Sequence, residues 1–120
     1  PIYDEPEFIV RNIYRCLGGW YSGTPCELKP APRAQQANAL AALAGGANKL
    51  AEAAQRHAAA GELRLACHFA DWAVEADPES KAAHRARAAV YEQRAASESS
   101  TMARGVFVAA AKESRKRAGD

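Results

Sequence analysis

Residues 47–78 read ANKLAEAAQRHAAAGELRLACHFADWAVEADP, and this stretch decides the fold. Two runs with helical periodicity, both rich in Ala, the strongest helix former, lie on either side of Gly61. Asp77-Pro78 closes the second run, because proline cannot continue a helix interior. Small residues on both runs allow two antiparallel helices to approach closely. The stretch therefore predicts a helical hairpin.

Six residues of this hairpin fall at the spacing of the large, small and closing positions of a tetratricopeptide repeat. The segment that follows stays in phase at Ala88 and Tyr91 but loses the phase at Ser100 and Arg104. About one and a half repeats are fewer than the three or so that a solenoid needs. We therefore predict an all-α, tetratricopeptide-like bundle of antiparallel helical hairpins instead of a peptide-binding superhelix. The six positions are Leu50, Ala54, Gly61, Ala66, Ala73 and Pro78.

The helical pattern extends outward from the hairpin in both directions. Upstream, Ile9, Ile13 and Leu17 recur at helical spacing and predict an N-terminal helix that begins near Pro6. No alternating strand pattern occurs, so we expect helices only. The turn residues divide the helical pattern into about five to six helices. We predict one domain over 1–120, with the N-terminal helix and a loop in 1–32 and Ala-rich hairpins in 33–117. Glycine, proline and serine punctuation predicts helices near 33–44, 46–60, 62–76 and 79–96, and a last helix that holds Met102, Val106 and Ala110.

Composition excludes several classes of function. The net charge of the 120-residue chain is +2 and its basic residues are dispersed, apart from Lys112 through Arg117, a cluster that suits a helix C-terminus. We therefore expect no nucleic-acid partner. No run reaches the roughly 18 apolar residues of a membrane span, so we expect no membrane partner. Cys16, Cys26 and Cys67 are odd in number and lack metal-ligand spacing, which favours reduced thiols and a cytoplasmic location.

The chain lacks the residue patterns of a catalytic or metal site. His57, His68 and His84 fall on three different predicted helices without metal-ligand spacing, and we expect surface or interface histidines. Acid pairs such as Asp71 and Glu75 suit solvated helix faces with weak salt links. We therefore predict no catalytic residue, no metal ligand and no cofactor in this chain.

The segment Leu17-Gly18-Gly19-Trp20-Tyr21-Ser22-Gly23-Thr24-Pro25 combines turn formers with two adjacent aromatic residues. In one interpretation Trp20 and Tyr21 only attach this loop to the bundle. In the other, the corner lines the pocket of a neighbouring domain, with tyrosine and arginine side chains as anion contacts. The residues alone leave both interpretations open.

This loop, preceded by Val10-Arg11-Asn12-Ile13-Tyr14-Arg15 and followed by Leu28-Lys29-Pro30, resembles the start of the alkyl sulfatase dimerisation domain. The turns at Ala60-Gly61-Glu62-Leu63-Arg64-Leu65-Ala66 and Ala76-Asp77-Pro78 resemble later turns of that domain. The resemblance extends over residues 7–115, nearly the whole chain.

The enzymes of this family are metallo-β-lactamase-fold hydrolases that cleave alkyl sulfate esters with two zinc ions. Their helical domain forms the homodimer and helps to wall the sulfate pocket. The chain has no His-x-His-x-Asp-His metal motif. The resemblance therefore implies a dimerisation and active-site-support domain of a larger zinc-dependent hydrolase. Its implied partners are a second copy of itself and an upstream catalytic domain that carries the two zinc ions.

The resemblance also implies roles for individual residues. Tyr14 matches the tyrosine that reaches toward the sulfate end of the pocket, so we expect it to line the substrate pocket. Independently of the resemblance, the large side chains of Phe69 and Trp72 on the Ala-rich hairpins are the expected anchors of the core and the dimer. The loop residues expected to dock on the catalytic domain are Gly19, Trp20, Tyr21, Gly23 and Pro25.

Some positions depart from the family pattern. Tyr3 stands where the sulfate-contacting arginine is expected, and Glu7-Phe8-Ile9 stands where Ser-His-Asn is usual. Ser22 and Thr24 replace the Asp and Asn of the loop. These differences favour a related ester over an alkyl sulfate as the substrate of the parent enzyme.

Two other functions remain open at this stage. A stand-alone helical-repeat adaptor would be a monomer with an open apolar groove for a partner helix or peptide. An independent small enzyme is the third alternative, although no catalytic pattern supports it.

Overall fold

Helices separated by short turns account for most of the chain. The computed structural model describes residues 23–120, and the chain divides into two units, Pro1–Pro32 and Arg33–Asp120. In the first unit, the described residues include a short 3-10 helix, Pro25–Glu27. The second unit contains α1 (Arg33–Ala44), α2 (Ala47–Ala59), α3 (Leu63–Ala76), α4 (Lys81–Ala96) and α5 (Thr101–Ala118).

The all-α class predicted from the sequence is confirmed, because residues 23–120 contain helices and no strand. The predicted helix near Pro6 lies outside the described residues. The single-domain organisation and the tetratricopeptide-like arrangement stay predictions. None of the helices in the described part of the chain is long and apolar enough to cross a membrane.

Glycines form the turns on both sides of α2, as their positions predict. Gly45 and Gly46 have φ angles of +101° and +126°, and Gly61 has a φ of +83°. Side chains other than hydrogen rarely tolerate these left-handed angles, so glycine ends each helix sharply. The amides of Gly45 and Gly46 both donate to the Ala41 carbonyl, at 2.9 and 2.7 Å. The short turn lets α1 fold back against α2.

Serine side chains begin the last two helices. The Ser80 Oγ accepts a hydrogen bond from the Ala83 amide at 3.1 Å, and the Ser100 Oγ accepts one from the Ala103 amide at 3.3 Å. Each bond satisfies an amide that has no partner within the first helical turn. The sequence assigned Ser100 only to a weak break, and in the structure it is the N-cap of α5.

The core forms around α3, which packs against α1, α2 and α4. One face of α3 consists of Ala66, Ala70 and Ala73, all with 0% of their surface exposed. Because a methyl group adds little bulk, the backbones of neighbouring helices approach this face closely. Val90 is the only large apolar side chain below 2% exposure among the described residues, so the core depends on close backbone approach more than on large side chains.

Helix α5 packs against α4 on the other side of the unit. Its inward residues include Phe107, whose ring lies 5.8 Å from the Tyr91 ring and 4.7 Å from the Arg94 guanidinium. The guanidinium lies over the ring face, an attractive arrangement for a cation. Phe107 thereby fixes the rotation of α5 and determines which of its residues face outward.

Replacing Ala70 by Leu should lower the free energy of unfolding by about 1–3 kcal/mol, because α3 has no room for extra methylene groups. The measurement is urea unfolding followed by circular dichroism. Ala89→Leu, at an exposed position of α4, is the matched control and should change stability by less than about 0.5 kcal/mol. Equal losses in the two variants would contradict close packing at α3.

Candidate functional site

The predicted pocket residue and three of the five predicted docking residues lie outside residues 23–120, which the structure describes. These are Tyr14, Gly19, Trp20 and Tyr21, and their roles in pocket lining and docking stay predictions. Two of the predicted docking residues are described. Gly23 has a φ of +93°, and Pro25 is the first residue of the 3-10 helix. The Glu27 amide closes this turn by donating to the Thr24 carbonyl at 2.9 Å.

The two predicted anchors, Phe69 and Trp72, contact each other edge to face at 5.2 Å and pack against the core. Both are partly buried, and His57 stacks on the outer side of Phe69 at 5.0 Å between ring centroids. The His57 Nδ1 lies 2.7 Å from Glu62 Oε1, so a carboxylate holds the ring in place. The aromatic pair contributes to the helical unit, and its part in a dimer stays a prediction.

Hydrogen bonds between polar side chains connect α3, α4 and α5, and the sequence pattern did not predict them. We call this group the polar bridge, and it consists of Asp71, Arg87, Tyr91 and Ser114. Arg87 of α4 donates from Nε to Asp71 Oδ1 at 2.9 Å and from Nη1 to Ser114 Oγ at 2.9 Å. The same Nη1 donates to the Ala110 carbonyl at 3.2 Å. The Tyr91 hydroxyl donates to the other Asp71 oxygen at 2.8 Å. The expected salt link of Asp71 is present, but the expected solvated face was wrong, because the carboxylate is only partly exposed and receives donors from a neighbouring helix.

His84 completes the bridge at the end nearest to Pro78. Its Nε2 lies 2.8 Å from the Pro78 carbonyl, which can only accept, so Nε2 carries the proton. Its Nδ1 then accepts from the Ser114 hydroxyl at 3.2 Å. The expectation of surface or interface histidines was wrong for His84, which is only 4% exposed. A pattern of histidine spacing could not have found it, because its partners come from a turn and from another helix.

Burial raises the pKa of the Tyr91 hydroxyl, and the neighbouring Asp71 carboxylate raises it further. Burial also raises the pKa of the Cys67 thiol, again with a contribution from Asp71. Both groups are therefore held in their protonated forms at neutral pH. A thiol of this kind is a poor nucleophile, because the thiolate is the reactive form. The role of the polar bridge is therefore structural, and its hydrogen bonds hold α3, α4 and α5 together.

An open groove of about 730 Å³ lies between the α2–α3 turn and the α4–α5 turn. Its charged residues include Arg94 and Glu98, which form an ion pair at 3.0 Å. Within residues 23–120, no group of three or more His, Cys, Asp or Glu side chains is placed to hold a metal ion. The groove is lined by Gly61, Glu62, Leu63, Arg64, Leu65, Arg94, Ser97, Glu98 and Ser99.

Large apolar side chains that face solvent are concentrated on α5. Met102 is 83% exposed and Val106 is 63% exposed, while Val108 lies at the margin with 37%. Leu43 on α1 and Leu65 on α3 are isolated examples on other helices. The helical spacing of Met102 and Val106 was visible in the sequence, but their outward orientation was not. Exposed apolar surface of this kind is typical of a contact with another molecule.

Comparison with known proteins shows which family this chain belongs to. A family model described as alkyl sulfatase dimerisation matches residues 1–117. The chain belongs to the alkyl sulfatase dimerisation family. The resemblance seen in the sequence is thereby confirmed, and it covers the helical unit as well as the loop.

Two relatives show where this dimerisation domain occurs. The chain is 34% identical over 86 residues to a linear primary-alkylsulfatase from Pseudomonas sp. (strain ATCC 19151). It is 26% identical, with a TM-score of 0.76 over 88% of its length, to the structure of a double mutant of the sec-alkyl sulfatase PisA1. The aligned part is 16% of the first relative and the match covers 17% of the second. The dimerisation domain is thus a small part of each relative.

Replacing Ser114 by Ala should cost about 1–3 kcal/mol of unfolding free energy, because Arg87 and His84 each lose a buried hydrogen-bond partner. Ser99→Ala removes the same atom from an exposed serine and should have almost no effect. Chemical denaturation of both variants measures the difference. A loss no larger for Ser114→Ala than for Ser99→Ala would show that the bridge adds no stability.

The raised pKa of Tyr91 predicts how stability depends on alkaline pH. The folded state holds the Tyr91 proton more tightly than the unfolded chain does. Its contribution is therefore complete below about pH 10, the ordinary tyrosine pKa, and is lost as the pH rises above that value. Thermal unfolding of the wild type and Tyr91→Phe across this range is the measurement. The stability difference between the two should shrink with increasing pH, and a constant difference would contradict the prediction.

Proposed function

We propose that this chain is the dimerisation and active-site-support domain of a larger hydrolase of the alkylsulfatase type. The observation that carries the proposal is the family match over residues 1–117. Two other facts support it. The exposed apolar side chains of α5 suit a protein partner, and the chain aligns with only a small part of an alkylsulfatase.

The parent enzyme in this proposal has a metallo-β-lactamase-fold catalytic domain upstream of the chain, and that domain holds two zinc ions. The described residues of the chain do not fit a zinc site, since they contain no suitable group of ligands. Metal-bound water would supply the nucleophile for ester cleavage in the catalytic domain. This chain would contribute Tyr14 to the substrate pocket and its loop to the domain contact. A cytoplasmic location, suggested by the cysteine content, belongs to the same proposal.

The substrate class follows from the relatives and from the departures in the chain. The relatives are alkyl sulfatases, while Tyr3 occupies the position where the sulfate-contacting arginine is expected. We therefore propose a sulfate ester or a related ester as the substrate. Assays of the parent enzyme with a series of alkyl sulfates, alkyl phosphates and carboxylic esters test this choice.

Loss of activity on chelation and its recovery with zinc test the metal, and activity that survives complete chelation would contradict the zinc assignment.

Trp20→Ala should lower kcat/KM of the parent enzyme by at least about tenfold, equivalent to about 1.4 kcal/mol of transition-state stabilisation. The unfolding midpoint of the 120-residue chain should change much less, because the loop acts through the catalytic domain in this proposal. Both quantities are measured on the same variant. If activity and stability fall together, the loop only attaches to the helical bundle.

The proposed dimerisation domain and the alternative stand-alone adaptor differ in oligomeric state, since the first is a dimer and the second a monomer. The 120-residue chain should form a dimer, with twice the mass of the 12.8 kDa protomer, as the concentration rises. Sedimentation velocity over a concentration series measures this directly. A monomer at every concentration, together with binding of a partner peptide in the open groove, would favour the adaptor.

A further inference from the structure

The outward side of α5 carries an apolar stripe along the first half of the helix. Met102, Gly105, Val106 and Ala109 form this stripe, which we call the α5 face, because residues three and four apart lie together on a helix. All four are exposed in the structure. Among the described helices, α5 alone carries more than one exposed large apolar side chain.

Charged side chains are absent from the α5 face itself. Arg104 lies beside it and is directed to the Glu98 carbonyl, to which Nη2 and Nε donate at 2.7 and 3.2 Å. The first outward charges, Lys112 and Glu113, follow Ala109 by about one turn. A partner could therefore cover the face without burying a charge, which would be costly.

The order of large and small residues on the face is self-complementary. If a second α5 lies antiparallel across it, with the twofold axis passing between Gly105 and Val106, each Val106 is opposite the other copy's Gly105. In the same register each Met102 is opposite an Ala109. Each large side chain thus meets a small one, which is how two helices interdigitate, and a twofold contact uses the same surface on both copies.

Nothing in the described part of the chain requires glycine at position 105. A Cβ atom built at this position meets no atom within 4 Å, and the residue does not have a positive φ. Glycine in a helix interior costs about 1 kcal/mol relative to Ala. A close approach by another backbone would explain why this cost is tolerated on an outward surface.

We propose that the second copy of the chain docks on the α5 face, antiparallel and centred between Gly105 and Val106. This inference rests on the proposed function, since the family is one of dimerisation domains and the self-complementary order identifies a second copy as the occupant. One helix pair buries less than the roughly 1,200 Å² of a stable interface, so the contact between two 120-residue chains is weak and concentration-dependent.

Gly105→Gln tests the close approach without harming the fold. The long side chain blocks the partner, while the open space and the better helix propensity of Gln keep or raise the unfolding temperature. We expect the dimer dissociation constant to rise at least about tenfold, equivalent to about 1.4 kcal/mol. Ala89→Gln, on the exposed side of α4, is the matched control and should leave dimerisation unchanged.

Exchanging the large and small residues at positions 102 and 109 tests the proposed alignment of the two α5 helices. Met102→Ala and Ala109→Met should each weaken the dimer, the first by loss of contact and the second by placing two large side chains opposite each other. The double variant exchanges the large and small positions and should recover most of the affinity. Both residues are strong helix formers, so the helix itself is preserved. Additive losses in the double variant would overturn this register.

Sedimentation velocity of the wild type and these variants distinguishes failure of the proposed function from failure of the α5 contact alone. A wild type that stays monomeric at every concentration overturns the proposed function and the α5 contact together. A wild-type dimer that Gly105→Gln weakens no more than Ala89→Gln overturns the α5 contact alone. The proposed function and the α5 contact are both supported if Gly105→Gln dissociates the dimer and if the Met102→Ala and Ala109→Met double variant recovers the affinity that each single variant loses.

Discussion

The close approach of helices at the alanine face of α3 is the constraint on which the structure depends. Ala66, Ala70 and Ala73 are completely buried, and they let α1, α2 and α4 pack around one central helix. A core of this type excludes water by proximity of backbones, with few large side chains to fill space. Phe69 and Trp72 lie at the margin of this core and pack against it.

The buried polar bridge then determines where α5 lies. Arg87 connects Asp71 of α3 to Ser114 of α5, and His84 forms a second hydrogen bond with Ser114. Because hydrogen bonds require particular directions, they favour the rotation of α5 that turns Ser114 toward Arg87 and His84. Phe107 supports the same rotation from the N-terminal half of the helix. Met102 and Val106 are consequently presented to solvent, so the internal network specifies the surface available to a partner.

The sequence predicted the helices well because their ends depend on local chemistry. Gly61 takes a left-handed angle and Asp77-Pro78 follows the end of α3, and both effects can be recognised from neighbouring residues alone. The inward side of α5 was not predictable in this way, since an Ala-rich helix with apolar residues on both sides has a weak periodic signal. His84 was likewise missed, because the partners that make its burial acceptable come from α5 and from the turn at Pro78. Tyr14 and the loop residues up to Ser22 lie outside the described residues, and their roles stay predictions.

The central claim is that two copies of this chain associate through antiparallel α5 helices. Distances between spin labels at Lys112→Cys and at Lys116→Cys, in a background without the native cysteines, test it most directly. Moving the label by four residues should lengthen the distance between the two copies by about 12 Å, since each residue adds about 1.5 Å on both sides of the twofold axis. An unchanged distance, as a parallel pair would give, or the absence of any distance between labels, would contradict the account.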